Sequence, residues 1–185
     1  MNGRADPAPA LIEVGADCWS SGLVTSHGGN LSARLGRGAL ISATGAMLGR
    51  LTGSRLVAVG MDGRRVNDEA PAPSADTAIH LAIYAAYADA GAVLHAHPVH
   101  AVALAFEREA IEPANLEGRL FLGRVPVIEA EWERSAEPVA RALAECPVVV
   151  VRGHGSYARG ADPWEALRVT SSLEEAARIL WLANR

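Results

Sequence analysis

Two histidines stand two residues apart in Leu94-His95-Ala96-His97-Pro98, and a third follows in Gly153-His154-Gly155. Alternate residues of an extended strand point to the same side, so His95 and His97 can aim two imidazoles at one point. Gly91-Ala92-Val93-Leu94 reads as the buried strand that delivers them, and Pro98 ends it. The third histidine follows the apolar run Pro147-Val148-Val149-Val150-Val151, on tightly turned backbone at another strand end. Three neutral imidazoles around Zn²⁺ leave one coordination position open, the arrangement of a catalytic metal site. Mn²⁺, Fe²⁺ or Co²⁺ suits the same donors. A lone His-x-His is also compatible with two ordinary polar residues; the second strand-end histidine is what favours ligands.

Other residues could complete a site. Gly28-Gly29-Asn30 is a small-residue loop that reads either as a turn or as a cradle of backbone N–H groups for a phosphate. Thr44-Gly45 offers a hydroxyl and open backbone at a strand end. Pro73-Ser74-Ala75-Asp76 opens a helix, a favourable place for an anion and equally for plain capping by Ser74. Asp76 fits a helix-dipole role, and beside a metal it fits a general base or a further ligand. His27, His80 and His100 read as ordinary loop and helix residues. Cys18 and Cys146 form no disulfide framework and read as buried thiols.

The elements that position these groups follow from periodicity and punctuation. Helices are expected over residues 10–21, 76–90, 99–107, 136–145 and 162–182. Ser74 caps the second and Gly91 ends it; Asp162-Pro163, with Glu165 nearly completing a capping box, starts the last. Strands are expected over 31–35, 39–43, 56–60, 64–66, 91–97 and 147–151. The 56–60 and 64–66 strands form a hairpin about Met61-Asp62-Gly63. Residues 108–117 are irregular and 120–128 extended. Hairpins come early and strands alternate with helices later. The fold class is therefore α/β, a three-layer α/β/α arrangement whose mixed, largely antiparallel sheet is covered on both faces.

Composition narrows the functions. The chain of 185 residues is long enough for one sizeable core, read as a single domain over residues 10–185 after a flexible start at 1–9. A net charge of −4 without charged blocks argues against a nucleic-acid or anionic-membrane partner. No run approaches the ~20 apolar residues of a membrane span, and the polar start lacks a signal core, so a cytoplasmic protein is expected. All 17 basic residues are arginine. Without lysine there is no Schiff base and no Walker-type phosphate loop. Any carbonyl chemistry must take its electrophile from a metal.

Gly29-Asn30, Thr44-Gly45, Pro73-Ser74-Ala75-Asp76, His95-Ala96-His97-Pro98 and Gly153-His154-Gly155, in this order, resemble the class II aldolase/adducin family. The resemblance spans about residues 10–182 and includes Ser172-Leu173-Glu174-Glu175-Ala176-Ala177. It implies that His95, His97 and His154 hold a divalent metal, usually zinc. Gly29, Asn30, Thr44, Gly45 and Ser74 would bind the phosphate of a ketose 1-phosphate. The metal would chelate the ketone and hydroxyl oxygens and stabilise the enediolate left by carbon–carbon cleavage to dihydroxyacetone phosphate and an aldehyde. Asp76 would take the place of the acid/base carboxylate. A homo-oligomer, commonly a tetramer with interfacial sites, is also implied.

Three departures stand out. The family aldolases have Ser-Ser-Glu where this chain has Ser74-Ala75-Asp76, so one hydroxyl is missing and the carboxylate is one methylene shorter. Their proton-donor tyrosine, expected between residues 107 and 123, is absent; Glu117, or else Glu112, would replace it. The last expected helix leaves no following tail to close the site. The same scaffold also carries a methylthioribulose-1-phosphate type of dehydratase, 4-epimerases and the non-catalytic adducin domain.

Overall fold

The computed structural model describes residues 6–183, so the part of the expected flexible start at 1–5 lies outside the described residues. One sheet of eight strands forms the centre, in the order β3-β2-β1-β4-β8-β7-β6-β5. The strands are β1 (Asn30–Leu35), β2 (Gly38–Ser42), β3 (Leu56–Gly60), β4 (Ala92–Ala96), β5 (Ala110–Ile111), β6 (Val125–Ile128), β7 (Val148–Val151) and β8 (Gly155–Gly160). Every neighbouring pair is antiparallel except β6 with β7. The helices are α1 (Ala8–Ser20), α2 (Thr77–Ala86), α3 (Val99–Ala105), α4 (Leu116–Phe121), α5 (Ala136–Ala142) and α6 (Pro163–Ala183). The expected three-layer arrangement is the one observed. Among the described residues no helix is long and apolar enough to cross a membrane.

Strand alternation assigns the two cores. On one face Ile41, Val57, Val93, Val149 and Tyr157 pack with Ile79 and Ile83 of α2 and Val139 of α5. On the other, Leu31, Ala92 and Leu94 meet Leu11 and Val14 of α1, while Val148, Val150 and Ala158 meet Leu104 of α3 and Leu173 of α6. Both cysteines are buried, and burial pushes the Cys18 thiol up to about 12. A thiol held so strongly protonated is a small core hydrophobe and not a nucleophile.

Several boundaries differ from the sequence expectation. α1 begins at Ala8, whose N–H is held by the Asp6 carboxylate. The residues expected to be extended from 120 begin instead inside α4, because Gly118 packs against Pro113 and the chain turns only at Gly123. The second strand of the early hairpin shrinks to one bridge between Val59 and Arg65. α6 starts as expected: the Asp162 carboxylate accepts the Glu165 N–H, and Glu165 reaches back to the N–H of Ala161.

α2 ends at Ala86, well before Gly91, because the Arg34 guanidinium takes the carbonyls of Tyr84, Tyr87 and Ala90. Gly91 has a different task. Its N–H donates to the Gly160 carbonyl, and a Cβ there would lie 1.9 Å from the Ala161 carbonyl oxygen. Backbone crowds it, so no side chain can yield. Gly91→Ala is expected to cost about 3 kcal/mol of stability, read as a lower urea midpoint at unchanged m-value.

Candidate metal centre and active site

The site is built on a row across three strands. Asn30 of β1 pairs with His95 of β4, and His95 pairs with Tyr157 of β8. All three side chains face the α2 layer. Tyr157 stacks on His95, ring centroids 4.3 Å apart, as cross-strand neighbours on one face can. β8 was not expected from the sequence, so Tyr157 was missed. Its run Gly155-Ser156-Tyr157-Ala158-Arg159-Gly160 carries glycine at both ends and no clear apolar alternation.

His154 sits in the three-residue turn joining β7 to β8, where Gly153 adopts φ +70°. This left-handed backbone favours glycine and turns His154 back over the sheet edge. Gly155 opens the space: a Cβ there would meet the Ala96 carbonyl at 2.4 Å and the His97 ring at 2.6 Å. The glycines flanking His154 thus bring three rings together.

The convergence is close. Nε2 of His95 lies 3.0 Å from Nε2 of His97 and 3.1 Å from Nε2 of His154, and the three donor atoms all fall within 4.8 Å of one another. Tetrahedral zinc with Zn–N bonds of about 2.0–2.1 Å sets nitrogens about 3.3–3.4 Å apart. The His95 Nδ1–H donates to the Ser156 carbonyl at 3.0 Å, since a carbonyl can only accept. That fixes the tautomer and leaves a lone pair on Nε2, the support that metal-binding histidines use. Burial lowers the pKa of His95, and burial with the neighbouring His154 lowers that of His97, so both rings are neutral. The donor set therefore fits a divalent metal.

Asp76 occupies the N-cap position of α2 but makes no side-chain capping bond. Helix entry is managed by Ser74 instead, whose carbonyl accepts the Thr77 N–H and hydroxyl and whose Oγ accepts the Asp76 N–H. The carboxylate turns inward. Oδ2 accepts from Asn30 at 2.8 Å and Tyr157 at 3.1 Å, and Oδ1 accepts from the Trp132 indole at 2.7 Å. Oδ2 lies 3.7 Å from Nε2 of His95. Burial raises the Asp76 pKa, but His95 and the hydrogen bonds from Asn30 and Trp132 outweigh it and hold the carboxyl down at about 2. Since burial keeps His95 neutral near pH 7, the hydrogen bonds are the more durable part of that stabilisation.

A pocket of about 250 Å³ opens over this cluster. Gly29, Asn30, Thr44, Gly45, Ser74, Asp76, His95, His97 and His154 all line it, joined by His27, Gly28 and Trp132. The Thr44 hydroxyl donates to the Pro73 carbonyl at 2.7 Å, whereas the Ser74 hydroxyl, which accepts from the Asp76 N–H, has no acceptor of its own among the described residues. Glu117 is exposed on α4 and does not line the pocket of its own chain. Trp132, like Tyr157, was missed. It follows an irregular stretch after β6, and nothing local marks a lone tryptophan there as a carboxylate partner.

Behind Asp76, His80 is fully buried, its Nδ1 2.7 Å from the Ser32 Oγ, which also meets the Tyr84 hydroxyl. Burial lowers its pKa to about 4, against the opposing pull of Asp76. Unfolded, a histidine takes up a proton below pH ~6.5, while folded His80 resists until about 4. The unfolded state thus binds more protons in that window, and stability contributed by neutral His80 is lost as pH falls through it. The loss approaches about 3 kcal/mol. Urea midpoints measured from pH 7 to pH 4 are expected to fall more steeply in the native protein than in His80→Asn.

The fold and the pocket define an α/β protein built around three clustered histidines that could hold a metal ion. Residues 9–181 match the model of the Class II Aldolase and Adducin N-terminal domain, and the chain belongs to this family. An L-ribulose-5-phosphate 4-epimerase of Salmonella paratyphi B is 34% identical, over 94% of this chain and 83% of its own. A methylthioribulose-1-phosphate dehydratase of Acidiphilium cryptum is 35% identical, over 85% of this chain and 82% of its own. The crystal structure of L-fuculose-1-phosphate aldolase from Thermus thermophilus superposes with a TM-score of 0.89 at 34% identity, covering 98% of this chain and 95% of that one. The protein is an enzyme of the class II aldolase superfamily.

Proposed function

We propose that the protein is a zinc-dependent aldolase that cleaves a small ketose 1-phosphate to dihydroxyacetone phosphate and an aldehyde. The observation that carries this reading is the meeting of three histidine Nε2 atoms beside a buried, ionised carboxylate, at the floor of a pocket rimmed by small residues and hydroxyls. His95, His97 and His154 would hold the ion. Bound there, it supplies Lewis-acid stabilisation of the negative charge left on the substrate oxygens when the carbon–carbon bond breaks.

The remaining work falls to the chain. Gly29, Asn30, Thr44, Gly45 and Ser74 bind the phosphate; Ser74 donates from its free hydroxyl, and Thr44 can do so once it releases Pro73. Asp76, held by three donors from three elements, moves the proton at the carbon that becomes nucleophilic. Glu117 donates the proton to the departing aldehyde; exposed on α4 and outside the pocket of its own chain, it would do so from a neighbouring copy. The exposed Leu116 and Leu120 beside it suit burial in a homo-oligomer, which we take to be a tetramer.

A second reading is a sister reaction on the same scaffold, dehydration of a methylthioribulose-1-phosphate type of substrate or 4-epimerisation. The absence of tyrosine between residues 107 and 123 favours it, as do the epimerase and dehydratase relatives. The test is incubation of the zinc-loaded protein with a panel of ketose 1-phosphates, with a chelated control. Chelator-sensitive release of dihydroxyacetone phosphate supports the aldolase. No release from any of them, with metal still bound, rejects it in favour of the sister reactions.

A further inference from the structure

Asp76 has a short side chain, with one methylene and one terminal rotation to set. Three donors set it: Asn30 from β1 and Tyr157 from β8, both on Oδ2, and the Trp132 indole on Oδ1. The first two stand in the sheet. Trp132 stands outside it, opening the 3₁₀ turn Trp132–Arg134 after β6, and it is the single donor to Oδ1 among the described residues. Its backbone is tied down: the Trp132 carbonyl accepts both the N–H and the hydroxyl of Ser135. Trp132 is 46% exposed and lines the pocket, whereas Asp76 is only 5% exposed. The indole therefore reaches from the pocket wall to a buried carboxylate, which is not where packing alone would leave a tryptophan.

We infer that Trp132 is a positioning residue: its indole N–H fixes the rotation of the Asp76 carboxylate so that Oδ2 stays turned toward the His95 imidazole. Without that bond Oδ1 is left short of a donor and the carboxylate is free to swing on its Cγ. Asn30 and Tyr157 still hold one oxygen, so the group stays buried and ionised but loses its fixed aim. The consequence is a loss of turnover and not of substrate or metal affinity. This rests on the site being the active centre proposed above, although the contact itself can be tested without any substrate.

Trp132→Phe keeps a ring in place and removes the N–H. With a ketose phosphate that the native protein turns over, kcat is expected to fall roughly 10- to 100-fold, the range for a hydrogen bond to a charged group, with KM within about twofold and zinc content unchanged. Unchanged kcat, or a loss confined to KM, overturns the positioning role. In the NMR spectrum of the zinc-loaded protein the Trp132 indole N–H signal, assigned by its absence in Trp132→Phe, is expected downfield among the four tryptophans. It should move upfield in Asp76→Ala while those of Trp19, Trp164 and Trp181 stay. A Trp132 signal that ignores Asp76→Ala overturns the proposal whatever the substrate. Failure of every substrate, with that signal responding, overturns the functional reading and leaves the carboxylate contact standing.

Discussion

His154→Ala is expected to abolish metal binding and activity while leaving the domain folded. Metal content should fall from one ion per chain to near zero, and turnover by roughly 10³-fold or more. The fold should survive because His154 contributes little to either core. It stands in the β7–β8 turn, and its backbone N–H keeps its bond to Val151. The adjoining Val148, Val149 and Val150 are fully buried, in core clusters to which His154 does not belong. The removed ring touches His95 and His97, so the change leaves two neutral imidazoles and open space at a half-exposed position. Far-UV circular dichroism and a urea titration should place stability within about 1 kcal/mol of the native protein when both are metal-free. Loss of folding together with metal would show that the site is part of the core. Retention of tight metal would show that two histidines and another group suffice.

Asp76→Asn is expected to lower kcat by roughly 10²- to 10⁴-fold, the usual contribution of a positioned general acid or base. Metal content should stay near the native value. Oδ2, the oxygen 3.7 Å from His95 Nε2, already accepts from Asn30 and Tyr157, so a ligand role for it would require one of these bonds to break. Metal loss on this substitution would establish that Asp76 is a ligand; native kcat would remove it from the mechanism. Some destabilisation is also expected. The amide nitrogen can only donate, and it must face at least one of three donors in a buried place, at a cost of about 1–3 kcal/mol. A zinc titration beside the urea midpoint separates these effects.

The ease with which the three histidines could be read from the chain has a physical origin. A strand points alternate residues one way, so His95 and His97 share a face whatever surrounds them. A histidine between two glycines after a valine run can stand only on a tight turn. These are local constraints, and the turn at Gly153 and the cleared space at Gly155 carry them out. The layered arrangement was legible for the same reason: apolar periods of two and of near four alternate along the later half of the chain. Even the start of α6 was written locally, in Asp162, Pro163 and Glu165.

What surrounds the carboxylate was decided by tertiary structure alone. Ser74 and Asp76 offered two equivalent readings, capping or chemistry. Only the approach of β1, β8 and the turn after β6 turned the Asp76 side chain away from its helix. Tyr157 joins the site because β8 inserts between β4 and β7, a pairing between segments far apart in sequence. Trp132 joins because β6 runs parallel to β7 and delivers the following turn to the same sheet end. Sequence spacing carries information about neighbours along one strand or helix. It carries none about which strand lies beside which, and the donors that orient Asp76 come from that second kind of neighbour.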